Sequence, residues 1–207
     1  MRFLAINLLL LLLLGSCSLK TTQGLRATTI SKTEIINAYF SESATDYLYK
    51  AKIDVYGRYF GGILIVKKVG AESHRVVFTT EFGSKIFDFL YEGDTFTVNY
   101  IVEELNRKIL VNTLQKDFKL LISEKIQVNE QFVSDAQQVY KSEANKRDAY
   151  YFFSIPENRL DRIVSASKSK EKVEILFNSE EPNIAQQIAI RHHNIKLSIN
   201  LDYFKKD

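Results

Sequence analysis

The chain has 207 residues, with 28 basic and 25 acidic side chains, a net charge of +3 and 45% hydrophobic residues. Charges so balanced and interspersed supply no clustered basic face for nucleic acid, and a single cysteine rules out disulfides within the chain. Prolines only at 156 and 182, no tryptophan and no low-complexity block describe one domain, long enough to bury a real core.

The chain opens MRFLAINLLLLLLLGSCSLK. Arg2 precedes an apolar run from Phe3 to Leu14, and small residues Gly15 and Ser16 lead into Cys17. This is the layout of a secretory signal, and the run is too short for a comfortable membrane span of about 20 residues. The order Leu14-Gly15-Ser16-Cys17 resembles the lipobox of bacterial lipoproteins. That resemblance implies cleavage after residue 16 and a lipid on Cys17, held by two or three acyl chains where one would be marginal. Ser18 in the next position is compatible with sorting to the outer membrane. The expected organisation is a signal peptide over 1–16, a polar tether over 17–32 and one domain over 33–207.

Ser31 with Glu34 three residues on has capping-box spacing and predicts a helix to about Ser41. Strands follow. Tyr47, Tyr49, Ala51, Ile53 and Val55 alternate with Leu48, Lys50, Lys52 and Asp54, the period of a half-buried strand. Tyr59 to Lys67 is a second strand, in which Gly61-Gly62 suggests a bulge or bend. Arg75–Phe82, Lys85–Tyr91 and Thr95–Ile101 complete an antiparallel meander with short turns at Gly83 and Glu92-Gly93-Asp94. Between Arg107 and Ser123, Leu110, Val111, Leu114, Phe118, Leu121 and Ile122 fall at helical spacing, one stripe for lying on a sheet. Strands return at Phe132–Tyr140, Ala149–Ile155, Leu160–Ser167 and Lys172–Asn178. A last hairpin carries Ile184, Ile188 and Ile190, then the alternating Ile195, Leu197, Ile199, Leu201 and Tyr203. The total is ten or eleven antiparallel strands with two or three helices.

This order resembles the lipoprotein-carrier fold of the LolA/LolB type: mainly β, a curved antiparallel incomplete barrel whose mouth is closed by helices. Two stretches resemble the lipidated LolB-like branch. One is Arg75-Val76-Val77-Phe78-Thr79-Thr80-Glu81-Phe82-Gly83, where Phe82 stands at the family's projecting apolar residue, usually leucine. The other is Pro182-Asn183-Ile184 with the hairpin to Leu201; Leu114–Ile122 is similar to the family's helix. The resemblance implies a monomeric, periplasm-facing receptor, lipid-anchored to the outer membrane. It would take the acyl chains of lipoproteins from a periplasmic carrier, with Phe82 and Gly83 forming a membrane-delivery loop.

A curved sheet of this kind can line an acyl-chain cavity with Tyr47, Tyr49, Ile53, Val55, Leu64, Val66, Phe78, Phe87, Phe89, Val98 and Ile199. The same alternation equally describes an ordinary filled core. A phenylalanine at a turn is unusual; it either projects or folds back onto the core. His192-His193 would face opposite ways on a strand, and His74 is distant, so surface histidines at a turn are expected rather than a metal site. Glu103-Glu104 and Glu180-Glu181 are adjacent pairs expected in solvent. With no nucleophile elbow or phosphate loop, neither catalysis nor a cofactor is expected. The alternative to the receptor is a non-catalytic adapter of the same fold that binds a protein or another lipid.

Overall fold

The computed structural model describes residues 20–144, 147–168 and 170–204. Cys17 and the segment before it lie outside them. A 3-10 turn at Lys20–Thr22 leads to two short strands, β1 (Arg26–Thr28) and β2 (Glu34–Ile36). The first meander is β3 (Asp46–Val55), β4 (Arg58–Gly70), β5 (Ser73–Thr79), β6 (Lys85–Glu92) and β7 (Thr95–Ile101). Helix α1 (Lys108–Ile122) follows, then β8 (Lys125–Gln127) and β9 (Glu130–Val133). The second meander is β10 (Gln137–Ala144), β11 (Arg147–Ser154), β12 (Leu160–Ser167), β13 (Lys170–Asn178), β14 (Gln187–His192) and β15 (Leu197–Tyr203).

Thirteen strands form one antiparallel sheet in the order β1-β9-β10-β11-β12-β13-β14-β15-β3-β4-β5-β6-β7. The last strand therefore joins the two meanders, with Ile199 opposite Ile53 and Leu201 opposite Ala51. This seam forms because β3 and β15 both alternate apolar with polar residues, so a single register buries both apolar rows. The sheet is mainly β in class and curved, and it does not close into a barrel: β1 and β7 remain its edges. α1 lies in the concavity, burying Leu110, Leu114, Phe118, Leu121 and Ile122 against it. Phe118 sits 5.7 Å from the Phe87 ring.

Three expectations need correcting. Residues 31–41 form no helix. Ser31 gives its N–H and hydroxyl to the Gln131 carboxamide instead of capping, and β-branched Ile35 pairs with Ile126 in the small sheet of β2 and β8. Asn37 then ends β2 by accepting the Tyr39 N–H and donating to the Leu121 carbonyl, the local bonding that makes asparagine a turn residue. Phe132–Tyr140 is two strands rather than one, broken where Ser134 bonds back to Gln137. With β1, β2 and β8 added, the described residues hold fifteen strands and one α-helix.

The stretch read as a polar tether is the third. From Lys20 on it packs against the sheet. Thr21 donates to Glu171 at 2.6 Å, β1 pairs with β9, and Leu25 covers a small second core of Val139, Tyr150, Phe152, Val164 and Ala166. That covering explains why β11 is apolar on both faces. Phe152 and Tyr150 fill this outer cluster while Ala149, Tyr151 and Phe153 fill the main core.

Candidate functional site

Ten of the eleven residues expected to line a cavity do share the concave face, but they pack it solid. Tyr47, Tyr49, Ile53, Val55, Leu64, Val66, Phe78, Phe87, Phe89 and Ile199 are all buried. The Phe87 and Phe89 rings stack at 4.5 Å, Phe78 lies 5.4 Å from Phe87, and Phe40 drops onto Tyr47 at 5.1 Å. The polar ends are satisfied too: Tyr49 donates to the Ala185 carbonyl and the Tyr47 oxygen accepts the Glu42 N–H. Val98 is the exception. It is opposite Phe89 in register, but β7 is an edge strand and Val98 stays 39% exposed.

Open space lies instead where α1 bridges the two meanders. A cavity of about 610 Å³ has Tyr91 and Phe96 of the β6–β7 hairpin on one side and Ala149, Tyr151 and Val173 of the second meander on the other, with Leu120 of α1 above. The hairpin is pinned to the helix by Tyr91 donating to the Gln115 carbonyl at 3.2 Å and by Lys119 donating to the Gly93 carbonyl. A second cavity, about 260 Å³, lies under the N-terminal half of α1. The two meet at Lys116, Asp117, Arg147 and Val173.

At that junction Asp117 Oδ2 stands 3.0 Å from His192 Nε2, each side chain 3% exposed. This corrects the expectation of a surface His192. The other ring nitrogen, Nδ1, is 3.1 Å from the Leu197 carbonyl. A carbonyl only accepts, so Nδ1 carries a proton. Nε2 then faces Asp117 Oδ2, neither atom has a partner elsewhere in the protein, and two bare lone pairs 3.0 Å apart would repel. One further proton must sit between them, so the pair is net neutral, as imidazolium–carboxylate or as imidazole–carboxylic acid. Burial pushes the Asp117 carboxyl above its ordinary range, and the imidazole draws it back.

The turns β3–β4, β5–β6, β12–β13 and β14–β15 all lie at one end of the sheet. The registers Val55 opposite Arg58, Thr79 opposite Lys85, Ser167 opposite Lys170 and Leu197 opposite Val55 require it. Phe82 stands in the β5–β6 turn and is 97% exposed, projecting rather than folding back. Gly83 beside it takes a left-handed φ of 84° that glycine adopts without strain, and Thr80 holds both ends of the turn through Gly83 N–H and Ser84 N–H. Tyr59, 75% exposed, shares this rim.

No family model matches the sequence, and no curated protein matches it. Solved structures do. A LolA superfamily protein from Nitrosomonas europaea is similar over 82% of this chain and 90% of its own, at 10% identity and a TM-score of 0.47. An outer membrane lipoprotein-sorting protein domain from Vibrio parahaemolyticus covers 80% and 86%, at 7% identity and 0.45. A DUF1329 family protein from Desulfovibrio piger covers 77% and 84%, at 9% identity and 0.40.

His74 is likewise buried rather than exposed. Its Nε2 donates to the Phe40 carbonyl at 3.0 Å and lies 3.5 Å from Glu124, which Lys68 holds at 2.8 Å. Burial depresses its pKa below the ordinary 6.5. The unfolded chain therefore takes up a proton first as pH falls. The stabilisation from neutral His74 is complete above pH 6.5 and is lost as pH drops toward the depressed folded value. Urea melts at pH 7.5 and 5 are expected to show this loss, and His74→Gln to flatten it; an unchanged slope in the variant counts against His74 as the source.

Sequence reading missed Asp117, Lys116, Arg147 and Lys172. One signal was available: Asp117 falls three residues after Leu114 and four before Leu121, an acid on the apolar stripe of α1. Arg147 and Lys172 gave none, because only the sheet's curvature brings them to the helix.

Proposed function

We propose that this chain is a lipid-anchored, non-catalytic receptor of the outer membrane, facing the periplasm, which accepts the acyl chains of lipoproteins from a periplasmic carrier and passes them to the bilayer. The observation that carries the reading is the shared rim. Thr21 is tied to Glu171 at the start of β13, at the same end of the sheet as Phe82. Three residues of chain reach at most about 10 Å, so a lipid on Cys17 keeps close to Lys20, and that rim within reach of the membrane. The cavity of about 610 Å³, where Tyr91, Phe96, Leu120, Tyr151 and Val173 stand among polar residues such as Asp94, Lys119 and Ser165, is of a size for a lipid tail.

Phe82 makes no packing contribution, so Phe82→Glu is expected to leave stability within about 0.5 kcal/mol and to leave uptake of a fluorescent acyl probe unchanged. Transfer of the bound probe to vesicles should fall severalfold. Undiminished transfer would remove Phe82 from the mechanism. Depletion in cells should leave other lipoproteins on the carrier or the inner membrane, and unchanged sorting overturns the receptor role.

The solid packing of Tyr47, Phe78, Phe87 and Phe89 favours a second reading, an adapter that binds a protein partner. Failure of the unlipidated protein to extract any acyl probe would decide for it.

A further inference from the structure

The smaller cavity, about 260 Å³, has an unusual charge balance. Its charged lining residues are Lys116, Arg147, Lys172 and the Asp117–His192 pair. Asp117 is the one acid among them, and the proton it shares with His192 makes that pair neutral. Three cations therefore face this space with no uncompensated carboxylate among the lining residues. They come from three separate elements: α1, the first residue of β11 and the start of β13. Like charges converging on one space repel, and the arrangement is favourable when an anion fills it.

Position adds to charge. This cavity sits under the N-terminal half of α1 and is lined also by Asn194 of the β14–β15 turn, so it lies toward the rim that carries Phe82. It shares Lys116, Asp117, Arg147 and Val173 with the larger cavity, whose lining also includes Phe96, Leu120 and Tyr151. A basic space toward the rim stands beside a larger one partly walled by aromatic and aliphatic side chains, a layout that suits an amphiphile whose head stays near the first and whose tail lies in the second.

We propose that Lys116, Arg147 and Lys172 form a head-group site for an anionic lipid, a carboxylate or phosphate on an alkyl chain, whose tail lies between Phe96, Leu120 and Tyr151. The inference rests on reading the larger cavity as an acyl site, and it goes further by adding a second ligand class, free anionic amphiphiles, to the lipoprotein acyl chains. The thioether-linked diacylglycerol of a lipoprotein carries no such anion. The site therefore prefers fatty acids or phosphate-headed lipids over a lipoprotein anchor of equal chain length.

The test uses the unlipidated protein and three fluorescent probes of one chain length: a fatty acid, its methyl ester and a lysophosphatidate. Charge-assisted bonds from two or three cations are expected to make both anionic probes bind about tenfold more tightly than the ester. The preference should shrink with added salt. Because Lys172 lines the smaller cavity and not the larger, Lys172→Gln should weaken it severalfold while leaving ester binding and the thermal melt unchanged. Lys116→Gln combined with Arg147→Gln should erase it. Leu120→Trp should abolish binding of all three. A preference for the lysophosphatidate over the fatty acid would assign the site to phosphate, and the reverse to carboxylate. Equal binding of acid and ester by the native protein, with Leu120→Trp still blocking both, overturns the head-group site and leaves the acyl cavity standing. Absence of binding by every probe overturns the acyl reading, and the head-group site with it.

Discussion

Gly62→Ala is expected to cost about 3–4 kcal/mol, lowering the melting temperature by roughly 10 °C in a domain of this size. A Cβ on Gly62 would stand 1.9 Å from the Thr79 carbonyl oxygen and 2.9 Å from its carbon, with the Thr80 Cα at 3.0 Å. All three are backbone atoms, at the end of β5 and the residue after it, so no side chain can swing aside. β5 would have to move, and it ends in the Thr80–Ser84 turn that presents Phe82. The damage should therefore reach the rim as well as the core, and vesicle transfer should suffer even below the melt. Gly61→Ala is the control. A Cβ there meets nothing within 4 Å and no left-handed φ is required, so loss of unfolded-state freedom should stabilise by about 0.5 kcal/mol. Chemical denaturation of the two variants side by side settles the point, and equal effects would refute the close-approach account.

The glycine pair also shows how far the sequence was readable. Gly61-Gly62 announced something irregular, yet the β3–β4 register runs through both without a shift. What glycine provides there is room for a neighbouring backbone, a property of the folded pair of strands. Alternation in β3 and β15 and the stripe of α1 were legible because each reports one face of one element. The false helix at residues 31–41 came from a true local signal: Ser31 and Glu34 do have capping spacing, but Gln131, a hundred residues away, takes the serine. The strand edges at β1, β2 and β8 are three residues each, too short to carry a period.

The candidate site divides in the same way. Alternation placed Tyr47, Phe78, Phe87 and their neighbours on the right face, but whether that face encloses space depends on what lies opposite. Phe40, Leu114 and Phe118 fill it. The space that remains lies between α1, the β6–β7 hairpin and the second meander, segments that contacts such as Tyr91 to Gln115 join across the chain. Phe82 was legible because an aromatic at a glycine turn breaks a local rule, and its exposure follows. The sequence has His192 and His193 facing opposite ways; what it does not show is that the inward side meets Asp117 of α1, leaving His193 half-exposed beside Glu171.

Asp117→Ala is the second variant expected to act strongly. Removing the carboxylate leaves His192 Nε2 buried with no partner, and loss of one member of a buried pair costs 3–5 kcal/mol in well-sealed sites, by the general rule. The cavity beside Asp117 can admit water to the orphaned nitrogen, so about 3 kcal/mol is expected here. Asp117→Asn should behave differently. Its amide can donate to Nε2 of a neutral imidazole while Nδ1 keeps its bond to Leu197, and the loss should stay within about 1 kcal/mol. The comparison separates a need for a hydrogen bond from a need for a charge. It also tests the neutrality of the pair: if the pair already carries one shared proton, replacing a neutral pair with a neutral pair leaves the preference for an anionic probe unchanged. A rise of about tenfold in affinity for the fatty acid in Asp117→Asn would mean that native Asp117 holds an uncompensated negative charge, and the three cations would then be answering that carboxylate rather than a ligand.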